Sequence, residues 1–285
     1  MADSGAQLSR IAYLGPAGTF SEEAALLYRG DRAAELVPFA SIPAVISASE
    51  TRMVEEGVVP IENSLEGSVP ATLDVLIHES ALYIKHELVV PIHHFLLAPP
   101  GVSAREAKAL FSHPQALGQC RRFVDRCLPK VEIVAALSTS RAVEEMLAHP
   151  APALAIATQR AALLYGASVL AENIQDEQTN VTRFVVLAQE DSPPSGRDKT
   201  SLCFTLPHDK PGVLYAALAE FATRQINLTK IESRPTKEAL GKYIFLLDAE
   251  GHRRESPLAE AIAALRTKTE TLRVLGSYPR YSEPE

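Results

Sequence analysis

From residue 10 the chain alternates short apolar runs with segments whose apolar residues recur every three or four positions. Uninterrupted β-branched runs read as buried strands, and the longer period reads as helices packed on them. On this pattern Arg10–Leu14 is a strand, Phe20–Tyr28 a helix, Glu35–Phe39 a strand, Ile42–Glu50 a helix and Gly57–Ile61 a strand. The βαβαβ order predicts a mainly parallel sheet with helices on its faces. Leu82 to Ala98 is a long β-rich run broken at Pro91. A second alternating block follows: strand Ala109–Ser112, helix Pro114–Leu128, strand Val131–Ala135, helix Arg141–Ala148, strand Ala153–Ala157 and a short helix Gln159–Tyr165. The strand Thr182–Ala188 ends this region.

Two α/β blocks joined by a long strand, with a return near residue 178, predict two lobes and a cleft. Ligands of open α/β sheets sit outside the carboxyl ends of the strands, and clefts between lobes are favoured pockets. Glu190–Asp198 is a linker by composition, rich in Ser, Pro and Gly. Beyond it the order is strand Lys199–Leu206, helix Gly212–Arg224, strands Asn227–Arg234 and Tyr243–Glu250, helix Pro257–Leu265 and strand Thr271–Tyr278. This βαββαβ order is the ferredoxin-like arrangement. Val213, Leu214, Ala217, Leu218 and Phe221 give its first helix one apolar face for the sheet.

Composition narrows the function classes. The chain has 285 residues, enough for one large or two ordinary domains, and a formal net charge of −7. With no long basic run, nucleic acid is not an expected partner. Three cysteines do not make a disulfide framework, and Cys120 and Cys127, two turns apart in one helical segment, are expected to share a core-facing side. The first ten residues lack the apolar core of a signal peptide. The most apolar stretch, Leu88 to Val102, is interrupted by His93, His94 and three prolines and is too short to span a bilayer. The expectation is a cytoplasmic protein with no membrane association.

Several segments carry chemistry. Asn180-Val-Thr-Arg-Phe184 places a hydroxyl and a guanidinium at the mouth of a strand, as an anionic substrate would want, or is an ordinary strand start with a surface Arg. Gly15-Pro-Ala-Gly-Thr-Phe-Ser21 opens a helix, with Thr19 and Glu22 spaced as a capping box. It is either a capped turn or an anion site where two glycines admit a ligand. Pro60-Ile-Glu-Asn-Ser64 with Glu66 and Ser68 is a pocket rim or a polar loop. Phe111-Ser-His-Pro-Gln115 starts a helix with Pro first, from which Ser112 and Gln119 could face a cleft. His113 there is the obvious general-base candidate at neutral pH, or a cap or packing residue, the second reading being favoured; Ser138-Thr-Ser140 at the next helix start reads as a cap. His93 and His94, adjacent on a strand, point to opposite faces and make a poor metal pair. His78, His86, His149, His208 and His252 read as surface or packing residues. The chemistry on offer is hydroxyls, amides and arginine, with no metal and no cofactor.

Four of these motifs, Gly15–Ser21, Pro60–Ser64, Ser112–Gln115 and Asn180–Phe184, stand in the order and spacing of prephenate dehydratase, which the chain resembles from about residue 10 to residue 278. The later segments Pro211-Gly-Val-Leu214 and Ile226 to Pro235 resemble the amino-acid-binding ACT domain attached to that enzyme. The resemblance implies a two-lobed, periplasmic-binding-protein-like α/β catalytic region over 10–190, a linker over 191–198, an ACT domain over 199–278, and tails at 1–9 and 279–285. It implies a decarboxylating dehydration of prephenate to phenylpyruvate in phenylalanine biosynthesis. Thr182 is then the principal catalytic residue, joined by Asn63, Ser112 and Gln119. Arg183 would meet a substrate carboxylate, with Glu62, Ser64, Thr19 and Phe184 at the substrate site. Gly212, Val213, Leu214, Glu232, Ser233 and Arg234 would hold allosteric L-phenylalanine. One departure is visible: some members have Gly-Ala-Leu-Val where this chain has Gly212-Val-Leu-Tyr215.

ACT domains pair, so a homodimer or a dimer of dimers is implied. Two other readings use the same motifs: an arogenate dehydratase, and a noncatalytic amino-acid sensor, against which the intact Thr182-Arg183-Phe184 argues. A bifunctional enzyme is a third, and the short N-terminus leaves no room for a fused chorismate mutase bundle.

Overall fold

The computed structural model describes residues 8–207, 210–236 and 242–282. Residues 1–7 and 283–285 of the tails expected at 1–9 and 279–285, and His208, lie outside these; Ser9 belongs to the first strand of the chain and Pro279 to the last. The first elements are β1 (Ser9–Leu14), α1 (Phe20–Arg29), β2 (Ala34–Phe39), α2 (Ile42–Glu50), β3 (Glu56–Asn63), β4 (Gly67–Ser68), α3 (Pro70–His78) and β5 (Tyr83–Pro91). Then come β6 (Phe95–Ala98), β7 (Ala109–Ser112), α4 (Pro114–Gln119), α5 (Arg121–Cys127), β8 (Glu132–Ala135), α6 (Thr139–Ala148), β9 (Ala153–Ala157), α7 (Gln159–Tyr165), β10 (Ser168–Ala171) and β11 (Val181–Ala188). The chain ends with β12 (Asp198–Thr205), α8 (Val213–Ala222), β13 (Leu228–Pro235), β14 (Tyr243–Glu250), α9 (Leu258–Arg266) and β15 (Thr271–Pro279).

Two compact units emerge. The first holds the chain up to Val45, Val58–Pro70 and Val89–Phe184; the second holds Ile46–Gly57, Ala71–Leu88 and the chain from Val185 on. The first sheet has the order β2-β1-β3-β11-β5, with β4 paired to β3, so β11 does return between earlier strands. The second sheet runs β10-β6-β9-β7-β8, parallel between β7 and its neighbours and antiparallel at β6 and β10.

Strand β9 shows why this second sheet forms. Its Ala153, Ala155 and Ala157 lie in one core with Phe95, Leu97 and Phe111, under Ala142, Val143 and Met146 of α6. Its Leu154 and Ile156 lie in the opposite core with Leu96, Leu110 and Cys120. Both faces are covered, which is why the run is apolar throughout instead of alternating.

Helix formation over 114–128 departs from expectation. Cys120, at φ −115° and ψ 17°, divides the segment into α4 and α5. Asp176 takes up the break: its N–H donates to the Gln119 carbonyl (2.7 Å) and its carboxylate accepts from the Arg122 N–H (3.1 Å). The two cysteines therefore do not share a face; Cys120 is buried and Cys127 is exposed. His93 and His94 also lie off any strand, in the connection between β5 and β6.

In the second unit the sheet order β13-β14-β12-β15, antiparallel at each pairing, is ferredoxin-like. Leu202, Phe204, Leu247 and Ala249 pack there against Ala217 and Phe221 of α8 and Leu258, Ile262 and Leu265 of α9. The segment before β12 is tied down: buried Asp191 pairs with Arg253 (2.8 Å) and accepts from the Ser277 N–H (3.0 Å). No helix among the described residues is long and apolar enough to cross a membrane.

Candidate active site

From Gly57 to Ile61 strand β3 carries no polar side chain, it exits at Glu62 and Asn63, and Asn63 then builds the following turn. Its Oδ1 accepts from the N–H groups of Leu65 (2.9 Å) and Glu66 (3.1 Å), the local bonding that makes Asn a turn residue. The start of β11 is fixed beside it. Ser64 N–H donates to the Val181 carbonyl (2.9 Å), Ser64 Oγ accepts from Val181 N–H (3.0 Å), and Ile92 N–H donates to the Asn180 carbonyl (2.9 Å). Thr182 thus enters where β3 and β5 run out.

A directed set of hydrogen bonds joins these groups. Asn63 Nδ2 donates to Thr182 Oγ1 (2.9 Å), to Asn180 Oδ1 (2.8 Å) and to the Val181 carbonyl (3.2 Å). Asn180 Nδ2 donates to Gln119 Oε1 (3.0 Å), which also lies 2.9 Å from His94 Nε2. Gln119 Nε2 donates to Glu66 Oε1 (3.1 Å). Because Thr182 accepts from Asn63, its own hydroxyl proton is left to point elsewhere.

Thr182 borders a cavity of about 310 Å³, lined also by Asn63, Gln119, His94 and His113 together with apolar Leu14, Phe20, Ile42, Val69 and Ile92. Lys and Arg are absent from this lining among the described residues. Burial lowers the pKa of both His94 and His113, so each imidazole favours its neutral form. The first residues of α1 (Phe20, Ser21) and α6 (Thr139) also face the cavity.

The Gly15–Ser21 turn closes one edge. Thr158 Oγ donates to the Gly18 carbonyl (2.7 Å), Ser140 Oγ donates to the Ala17 carbonyl, and Arg160 pairs with Glu22 (3.1 Å). A Cβ on Gly18, at φ +84°, would stand 2.8 Å from Ser140 Oγ. This glycine serves the close approach of the chain to itself and not of a ligand to the chain. Thr19 caps α1 by accepting from Glu22 N–H (3.3 Å), while Glu22 reaches back to Gly18 N–H (2.7 Å).

Thr182, Asn63 and Gln119 are brought together; other expected site residues are not. Ser112 is fully buried and donates to the Ile156 carbonyl at 2.7 Å, so its neighbour His113 is the residue that meets the cavity. Arg183 is a correction: successive side chains of a strand point to opposite faces, so it leaves on the side away from Thr182 and pairs with Glu62 at 3.1 Å. Phe184 is core at 2% exposure, and Ser64 and Thr19 spend their hydroxyls on β11 and on α1. His113, through Nδ1 to Gln115 N–H, and Ser138, to Arg141 N–H, are the caps expected of them. Asn180 and His94 were given no role by the sequence; the signal for Asn180 was a polar residue entering a buried strand.

The prephenate dehydratase family model matches residues 11–192 and the ACT domain model matches residues 202–267. The chain belongs to the prephenate dehydratase family. It is a lyase that releases water and CO2, with a C-terminal ACT domain. It is 43% identical to the bifunctional chorismate mutase/prephenate dehydratase of Aquifex aeolicus over 95% of this chain and 74% of that protein. It is 38% identical to the prephenate dehydratase of Bacillus subtilis over 95% of this chain and 99% of that one. The crystal structure of the Arthrobacter aurescens prephenate dehydratase in complex with L-Phe is similar with a TM-score of 0.88 at 38% identity, covering 95% of this chain and 90% of that one.

In this member of the prephenate dehydratase family, Gly212 opens α8 in the left-handed region at φ +86°, and among the described residues nothing lies within 4 Å of where a Cβ would stand. Val213 and Leu214 are half-buried and Tyr215 is exposed. Glu232, Ser233 and Arg234 lie on β13, an edge strand. Arg234 pairs with Asp74 of α3 at 2.8 Å and with Glu232 at 3.5 Å.

Proposed function

We propose that prephenate binds in the cavity beside Thr182 and that Thr182 donates a hydrogen bond to its departing ring hydroxyl. The observation carrying this is the bond from Asn63 to Thr182 Oγ1 (2.9 Å), which commits the oxygen as acceptor and frees the proton. In the reaction the C–CO2 bond breaks and its electron pair flows through the ring diene. The C–OH bond breaks, and the hydroxide that leaves takes up a proton from solvent to become water. Negative charge moves from the carboxylate to the leaving oxygen. A mostly apolar, uncharged wall disfavours charge at the start, and a fixed donor favours it at the destination. A threonine hydroxyl is a weak acid, so its contribution is hydrogen-bond stabilisation strengthened by the Asn63 donor behind it.

With Arg183 turned away, the carboxylates of the substrate fall to the helix N-termini at Phe20–Ser21 and Thr139, where free N–H groups and the helix dipole favour anions. Gln119 orients the ring, supported by Asn180. Ser112 acts from behind, holding the strand end that carries His113. We assign 10–190 to catalysis, 191–198 to the linker and 199–278 to regulation. L-phenylalanine is taken at Gly212–Leu214 and Glu232–Arg234, where two chains pair along their β13 edges. Three free cysteines among the described residues fit a reducing compartment, the cytoplasm.

The test is product formation from prephenate and from arogenate, each with and without phenylalanine. Phenylpyruvate formed from prephenate and suppressed by phenylalanine supports the whole reading. Turnover of arogenate alone replaces the substrate, and turnover of neither overturns the assignment.

A further inference from the structure

We propose that His94 is a positioning residue for this reaction, holding the Gln119 amide in the one orientation that completes the bonds leading to Thr182. The ring itself is immobilised. His94 is 2% exposed, its N–H donates to Gln175 Oε1 (3.0 Å), and its carbonyl accepts from Ile174 N–H (3.0 Å). The ring meets Phe20 edge-on, with centroids 5.6 Å apart and planes at 82°.

The direction of the bond follows from its partner. An amide oxygen only accepts, so at 2.9 Å from Gln119 Oε1 the proton of His94 sits on Nε2. Nδ1 is then bare, and it is buried with no partner among the described residues. Burial keeps the ring neutral, in accord with this single-proton form. Gln119 Oε1 thereby receives two donors, His94 and Asn180 (3.0 Å), and its Nε2 must face Glu66 (3.1 Å). A flipped Gln119 would set its NH2 against the NH2 of Asn180 and against Nε2–H of His94. Asn180 would lose its acceptor, and the oxygen it offers Asn63 (2.8 Å) would no longer be fixed. At the far end, two backbone N–H groups pin Asn63. His94 is the matching pin at the near end, and it acts through Gln119 without needing to touch substrate.

This rests on the cavity being the dehydratase site, which turnover of prephenate by the unaltered protein tests separately. Within that assay, His94→Phe keeps a ring and removes the donor, whereas His94→Gln keeps a donor of similar reach. The expected result is a kcat loss of about tenfold or more for His94→Phe with KM within about threefold, and recovery to within about threefold in His94→Gln. In a Gln119→Ala background the His94→Phe change should cost nothing further, because residues acting as a unit are not additive. Equal impairment by Phe and Gln, or the same loss with and without Gln119, overturns the proposal. Should His94→Phe fail to fold, nitrogen NMR of 15N-histidine-labelled wild-type protein decides. A protonated Nε2 and bare Nδ1 that persist below the pH where free histidine titrates support it. An Nδ1-protonated ring, or titration at the ordinary value, overturns it.

Discussion

Exchanging the Asn63 amide nitrogen for oxygen, in Asn63→Asp, reverses one hydrogen-bond direction and changes almost nothing in shape. The retained oxygen still accepts from Leu65 and Glu66 (2.9 and 3.1 Å). The new oxygen faces three acceptors, at 2.8 Å on Asn180, 2.9 Å on Thr182 and 3.2 Å on Val181. Thr182 is the one that can answer, by turning its own proton onto the carboxylate. A hydrogen bond to a charged group is worth about 1.5–3 kcal/mol, and Thr182 must break it before serving the leaving hydroxyl. That corresponds to a kcat lower by about ten- to 150-fold. Protonating the buried carboxylate introduced by this substitution restores a donor, so the deficit should shrink as pH falls. The assay is phenylpyruvate formation at saturating prephenate from about pH 8 down to about pH 6, with circular dichroism to establish folding. A variant within about threefold of wild type at every pH refutes the idea that Asn63 directs the Thr182 proton.

Glu23, in the first turn of α1, has its pKa raised from 4.5 to about 7, first by burial and then by the charge of Glu22, with Thr158 and Arg160 opposing. A pKa raised on folding contributes stability that is present below the unfolded value and lost as pH rises through the folded one. The shift amounts to about 3 kcal/mol lost between about pH 4.5 and 7. Glu23→Gln should therefore be more stable than wild type in urea at pH 8 and little different at pH 5; the same difference at both pH values would count against it. Asp74→Asn removes the partner that holds Arg234 at 2.8 Å on the segment assigned to phenylalanine. The phenylalanine concentration for half-inhibition should rise about fivefold or more with uninhibited kcat unchanged, and an unaltered inhibition curve would exclude that coupling.

Much of the fold was legible because the local signals agree with one another. The apolar run Ala153–Ala157, the Pro at the start of α4 and the Thr19 cap each fix an element from within. The first lobe's return strand was legible for the same reason, and Asn63, Gln119 and Thr182 do meet, though they lie far apart in sequence. What escaped depends on distant partners. Asp176 breaks the helix at Cys120, and His94 acquires its role only when Gln119 and Gln175 close around it. Helix α3 carried a signal that went unused, with Pro70 first and Leu73, Leu76 and Ile77 on one buried side. Arg183 was misread although the alternation of strand side chains already sends it away from Thr182. Ser112 looked like a helix-start hydroxyl, but it closes a buried strand and spends its proton on Ile156.

The most direct test of the account is the turnover of Thr182→Ser beside Thr182→Val. Serine keeps the donor and loses a methyl group; valine keeps the shape and loses the donor. The account predicts that the serine variant retains most of kcat and that the valine variant falls by about a hundredfold or more, in the range of losing one fixed donor at a developing oxyanion. Equal activity in the two variants would contradict it, because the hydroxyl at the start of β11 would then take no part in the reaction.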